Sequence, residues 1–188
     1  MERRMLQDWV FSLASLIAKV QLVVGSQPLP FPCTWLTLLF SGNRIKIWHY
    51  LPPSWSAQAA VDLYKGVVTR TLRRCHGNKR KFAIMEDNDP TGYKSNRAKE
   101  VKAQLKICPI EFPRYAPDLM PLDYSLWAAI ERKMAENVVA NESVDDYKKR
   151  PRRVALGLPE AVVKKAVMKI PERAAAIAKA KGGDIARD

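Results

Sequence analysis

The segment from Lys81 to Phe112 limits the fold more than any other part of the chain. It opens on KFAIMED, a short, nearly continuous apolar run that ends in acid, and it closes on KICPIEF. Between them lie the loop NDPTGYKS and a polar stretch, Ser95 to Leu105, with the character of a helix. Strand, helix and strand within about 30 residues form a βαβ unit, whose two strands must run parallel. Strands buried on both faces read as apolar runs rather than alternations, as KFAIM does. The chain is therefore expected to be an α/β protein. Open α/β sheets place their sites beyond the C-terminal ends of such strands, which puts Asp87 and the segment after Phe112 at a site edge.

The neighbouring segments extend this unit. LPFPCTWLTLLF and RIKIWHYLP flank Ser41 to Asn43, and apolar, aromatic and β-branched residues on both sides of a Gly-Asn turn predict a hairpin. VQLVVGS is the candidate opening strand. Ser54 or Ser56 is placed to cap a helix reaching Cys75, with Val61, Tyr64, Val68 and Leu72 at helical spacing and Gly77 as its stop. From Pro121 onward the pattern is helical, with Leu122, Leu126, Ile130 and Met134 in one stripe. Beyond Asn141 shorter helices are expected, broken at Pro151, Pro159 and Pro171, with Gly182 as the last stop. At the N-terminus the apolar run Trp9 to Ala18 is about half of what a membrane span needs. It reads as an amphipathic helix packed on the domain, with a signal-peptide core as the lesser alternative; no membrane association is expected.

Charge narrows the class of partner. The chain of 188 residues carries a formal charge of +13, and Lys148 to Asp188 alone holds twelve Lys/Arg against four Asp/Glu. A polyanion is the expected partner, nucleic acid foremost, and a merely solvated basic surface is the alternative. KKRPRR, Lys148 to Arg153, fits a nuclear-localisation or phosphate-contacting cluster, and Lys164, Lys165 and Lys169 add a basic helical face. Such contacts would be independent of sequence and sensitive to salt. Cys33, Cys75 and Cys108 are odd in number and widely spaced, with His49 and His76 the only histidines. This predicts reduced thiols in a cytoplasmic or nuclear setting rather than a zinc finger or a disulfide scaffold.

Two carboxylates stand out. Asp87 ends the first parallel strand, Asp123 opens the helix after the second, and 35 residues separate them. One crossover has that length, so the two can converge. Converging carboxylates hold Mg²⁺ ions that activate a hydroxyl nucleophile and stabilise a leaving oxygen in phosphoryl transfer. The structural alternative is that Asp87 caps the DNDPTG turn and Asp123 faces the helix macrodipole. Among their neighbours, Glu86 and Asp89 alternate away from Asp87 and read as loop or surface carboxylates, with Asp89 the better turn former. Asp118 is expected to fix the proline turn through backbone N–H groups, and Trp127 to be a core aromatic.

MEDNDPTGYKS followed by FPRYAPDLMPLDYSLW resembles the catalytic core of mariner-like DDE transposases, over about Arg44 to Asp188. In that family an Asp-Asn at a strand end is followed by a Pro-Asp-Leu-x-Pro segment that leads into the third acid. By this resemblance Asp87 and Asn88 match the second-acid motif, and Pro117, Asp118, Leu119 and Pro121 match the proline turn. Asp123 takes the place of the third acid. The resemblance implies an RNase H-like mixed sheet with flanking helices and a basic helical C-terminal extension. It also implies Mg²⁺- or Mn²⁺-dependent cleavage and transfer of DNA strands, with Asp87 and Asp123 as metal ligands, in the nucleus. DNA contacts are assigned to Lys148, Lys149, Arg150, Arg152, Arg153, Lys164, Lys165 and Lys169.

The domain plan that follows is a divergent segment, 1–30, an incomplete DDE core, 31–141, and the extension, 142–188. The incompleteness lies in the first acid, which the family carries on its opening strand. VQLVVGS holds none, and Asp8, in LQDWVF, lies outside the motif context. The chain thus reads as a catalytic domain truncated at its N-terminus, with weak or absent strand cleavage expected. A non-catalytic DNA-binding protein on the same fold is the main rival, and a basic protein of a ribonucleoprotein particle a third. The oligomeric state is open, a homodimer included.

Overall fold

The computed structural model describes residues 22–28, 35–41, 44–52, 54–78, 81–111, 113, 116–136, 140–181, 183 and 185. The expected N-terminal helix, Asp8 and the Gly182 stop lie outside these residues. The described residues fall into two compact units that divide between Tyr115 and Ala116.

The first unit is built on a five-stranded mixed sheet in the order β3-β2-β1-β4-β5. The strands are β1 (Leu22–Pro28), β2 (Trp35–Ser41), β3 (Arg44–Leu51), β4 (Phe82–Glu86) and β5 (Ile107–Pro109). The expected hairpin is present: β2 and β3 pair antiparallel from Trp35 and Leu51 to Ser41 and Arg44, with a bulge between Leu39 and Phe40. The β4 and β5 strands run parallel, Phe82 opposite Ile107, as the βαβ reading requires. The expected opening strand, β1, lies between the two halves, antiparallel to β2 and parallel to β4.

Helices complete this unit. Ser56 caps α1 (Ala57–Leu63) by accepting from the Ala59 N–H at 3.2 Å, one of the orphan donors at a helix start. A single wide π-helical turn, Tyr64–Val68, bends at Gly66 before α2 (Thr69–His76) continues. There the Thr69 hydroxyl donates to the Tyr64 carbonyl at 2.6 Å. The wide turn keeps the stripe pointed inward: Val61, Tyr64, Val68 and Leu72 are all buried. They meet Ile47, Leu51, Phe82, Ile84 and Ile107 in one core, each such side chain worth about 1.5–3 kcal/mol when fully buried. At Gly77 the chain leaves the helix with φ 65°, a left-handed conformation that favours glycine. The crossover helix α3 (Asn96–Gln104) is capped by Ser95, whose hydroxyl accepts from the Ala98 N–H at 3.3 Å.

The second unit is helical. A 3₁₀ turn, Pro117–Leu119, leads into a wide turn, Leu122–Leu126, and then into α4 (Trp127–Glu136). After it come α5 (Val144–Leu156), α6 (Glu160–Met168) and α7 (Ile170–Lys179). Leu122, Leu126 and Ile130 are buried as the stripe predicted. Pro159 stands at the N-cap position of α6 and Pro171 lies in the first turn of α7, where a proline costs nothing because that N–H is unpaired anyway.

Pro151 departs from expectation: it does not break a helix but sits inside α5. The reason is tertiary. The adjacent Arg150 is buried, donates to the Met134 carbonyl of α4 at 3.0 Å and pairs with Glu142 at 3.0 Å. Those bonds anchor α5 at the residue that precedes the proline. No helix among the described residues is long and apolar enough to cross a membrane.

Candidate functional site

In the first unit the candidate site grows from the end of β4. Asp87 is exposed, and its Oδ1 accepts from the Asn88 N–H at 2.6 Å. The Asn88 side chain donates to the Pro113 carbonyl at 3.1 Å, which ties the end of β4 to the chain leaving β5. Asp89 organises the loop that follows, as its turn-forming reading predicted. Its carboxylate accepts from the N–H groups of Thr91 at 3.2 Å and Gly92 at 2.6 Å, and from the Trp55 indole at 2.7 Å. The indole lies so close over Gly92 that a Cβ there would stand 2.2 Å from it. Glycine is what lets this loop close under Trp55, whose ring also packs on Tyr93 with centroids 4.9 Å apart.

Glu86 corrects the sequence reading. Alternation does turn it away from Asp87, but into the core rather than to the surface, and it is fully buried. There it accepts from the Tyr64 hydroxyl and the Lys102 ammonium, with Lys94 at 3.5 Å. Lys102 is buried too and also donates to the Tyr93 carbonyl at 2.8 Å. Burial pulls the Lys102 pKa below the ordinary lysine value against the opposing pull of Glu86, whereas burial and then the Glu86 charge push the Tyr64 phenol well above its ordinary value. A buried Glu86–Lys102 pair thus sits directly behind the strand end that carries Asp87.

In the second unit Asp123 is exposed at the first turn of its helical segment, and its N–H donates to the Met120 carbonyl at 2.9 Å. The proline turn before it closes through N–H bonds from Leu119 to Ala116 and from Met120 to Pro117, both 3.0 Å. The Asp118 carboxylate finds a different partner from the one expected. The buried Arg173 of α7 donates to the Asp118 carbonyl at 2.7 Å and to its carboxylate at 3.2 Å. The same guanidinium lies 4.4 Å from the Tyr124 ring centre, and the Tyr124 hydroxyl donates to the Ala166 carbonyl. The start of the Asp123 helix is therefore held from α6 and α7. Arg173 escaped sequence reasoning because 55 residues separate it from Asp118. Trp127 is buried, the core aromatic that was expected.

The basic candidates divide. Lys149, Arg152 and Arg153 on α5 and Lys164 and Lys165 on α6 are exposed, Lys169 is half-buried, and Lys148 lies within α5. Lys149 stands 3.6 Å from Asp146, whose pKa is lowered first by the Ser143 hydroxyl and then by that lysine. Arg150 is a correction: buried against Met134 and Glu142, it holds helices together and is closed to a phosphate.

The metal expectation can be tested on these residues. Among the described residues no three His, Cys, Asp or Glu side chains are grouped to hold a metal ion. Strand β1 reads LVVGSQP and pairs Val24 with Glu86, so the strand beside Asp87 supplies no carboxylate. The described residues thus supply two of the three acids that the resemblance implies, and fewer carboxylate oxygens for Mg²⁺ or Mn²⁺ than a three-acid set would.

No family model matches the chain, and no curated protein matches it by sequence. Solved structures do match. The Mos1 transposase catalytic domain with raltegravir and Mn is 17% identical at a TM-score of 0.82, covering 98% of this chain and 94% of that one. The catalytic domain of the Mos1 mariner transposase is 17% identical at 0.78, covering 99% and 98%. The Mos1 Strand Transfer Complex is 16% identical at 0.79, and here 98% of this chain matches 61% of the transposase chain. At this identity the likeness is one of fold, and it agrees with the motifs: the chain has the RNase H-like α/β fold of the mariner transposase catalytic domain.

Proposed function

We propose that the chain is a transposase-type nucleic-acid-binding domain that keeps the fold of a strand-transfer enzyme and has weak or no strand cleavage of its own. The observation that carries this reading is the acid-free β1 running parallel beside the strand of Asp87. In this reading Asp87 and Asp123 occupy the second and third acid positions, and Mg²⁺ or Mn²⁺ binds them weakly for want of a third carboxylate. Exposed Lys149, Arg152, Arg153, Lys164 and Lys165, with Lys148 and Lys169, contact DNA phosphates. The same cluster serves nuclear import. The likeness to a transposase solved as a strand transfer complex supports nucleic acid over other polyanions.

The test is a cleavage and strand-transfer assay on duplex DNA with Mg²⁺ or Mn²⁺, comparing wild type, Asp87→Ala and Asp8→Ala. Wild type is expected to stay at or little above the Asp87→Ala background. Robust cleavage by wild type that Asp87→Ala abolishes would overturn the reading, and loss in Asp8→Ala as well would identify the missing acid.

A further inference from the structure

Asp87 marks one end of β4, and the other end is basic. Lys81 and Lys106 are exposed immediately before β4 and β5, and the Phe82 N–H donates to the Lys106 carbonyl at 2.9 Å, so the two lysines stand on one edge of the sheet. Helix α2 ends at Gly77, four residues before Lys81, and exposes Arg70, Arg73 and Arg74 while Leu72 enters the core. Arginines at i, i+3 and i+4 share one helix face. From Tyr64 to Met85 the chain contains no Asp or Glu. Among the described residues no carboxylate pairs with Arg73, Arg74, Lys81 or Lys106.

The bland account, that cations compensate the dipole at a helix C-terminus, covers Arg73 and Arg74. It fails for Arg70, which lies beyond the last turn, where that effect has faded. Like charges at i and i+4 oppose the helix, so the arrangement has a local cost that a bound polyanion would remove. His49 of β3 already registers this field: burial, and then Arg70, hold its pKa below 6.5.

We propose that the arginine face of α2, together with Lys81 and Lys106, is a second phosphate-backbone surface for nucleic acid. The inference rests on the nucleic-acid reading above but concerns the other compact unit and the opposite edge of the sheet from Asp87. Six residues of extended strand, at roughly 3.3 Å each, separate Lys81 from Asp87 by about 20 Å, so a backbone held here does not occupy the Asp87 site.

The experiment measures duplex DNA affinity of the full chain against salt. Arg70→Ala/Arg73→Ala/Arg74→Ala is expected to make the slope of log K on log salt shallower by about 2–3, equally for unrelated sequences, at a melting temperature no lower than that of wild type. The matching triple lysine variant is expected to restore it. An unchanged slope and affinity in the alanine variant overturns the proposal. Lys149→Ala/Arg152→Ala/Arg153→Ala serves as the control: if both sets leave the slope unchanged, the nucleic-acid reading itself falls, and if only the α2 set does, this inference alone falls. Loss of binding to an acidic polypeptide or anionic vesicles with duplex binding intact also overturns it. A readout on wild type covers misfolding of the alanine variant. Phosphates seated on Arg70 should raise the His49 pKa, seen by NMR as a shift in its imidazole titration, and a titration unmoved by saturating duplex counts against the site.

Discussion

A carboxylate next to a candidate metal ligand is buried behind it with a lysine of its own. The Glu86 and Lys102 charges have left water together, and their attraction is set against a desolvation cost of several kcal/mol per ion. Removing one partner is therefore worse than removing both. Lys102→Met is expected to lower unfolding stability by about 3–5 kcal/mol, because Glu86 is left with Tyr64 and the more distant Lys94. Glu86→Leu/Lys102→Met is expected to recover most of that loss. Urea midpoints at constant m-value decide the matter, and a single variant within about 1 kcal/mol of wild type would show that the pair is not the buried unit described. Strand alternation made the turn of Glu86 away from Asp87 legible, but not its burial, since the sequence marked it as a surface carboxylate. Its partners were not, since Tyr64 and Lys102 lie 22 and 16 residues away and no local pattern names them. Asp89 was legible because the N–H groups it accepts from are met two and three residues on.

At the scale of elements, what sequence revealed and what it hid divide along the same line. The β2–β3 hairpin, the cap at Ser56, one of the two serines offered, and the β4–α3–β5 crossover all depend on contacts between neighbouring stretches of chain, and each formed where the pattern allowed it. Helix α5 did not follow its local signal. A proline in a helix interior forfeits an N–H bond and crowds the preceding turn, which costs about 3 kcal/mol relative to alanine. The Arg150 bonds to Met134 and Glu142, 16 and 8 residues upstream, anchor the helix at the residue before that defect. Pro151→Ala is accordingly expected to stabilise the protein by about 1–3 kcal/mol, the gain being trimmed by the added freedom of the unfolded chain. Thermal melting checks this: a lower melting temperature in Pro151→Ala would mean that the proline is required by its surroundings rather than tolerated.

The whole molecule carries a charge of +13, and this sets two opposing responses to salt. Without a polyanion, self-repulsion disfavours the compact state, and screening relieves it. The isolated protein is therefore expected to melt at a higher temperature in roughly 300 mM than in roughly 30 mM salt, as the screening length shortens. With duplex DNA present at about one hundred times its dissociation constant, the folded state gains about 2.7 kcal/mol by linkage at low salt. Salt cations compete with lysine and arginine for the phosphates, so binding weakens and that gain fades as salt rises. On the proposed reading the salt dependence of the melting temperature thus changes sign when DNA is added. The buried ion pairs Glu86–Lys102 and Arg150–Glu142 are shielded from the ions and leave the sign unaltered. Parallel melting curves at several salt concentrations, with and without duplex, would settle it. A positive slope in both series would mean that the surplus charge only repels itself and that the basic surfaces of both units serve some purpose other than holding DNA.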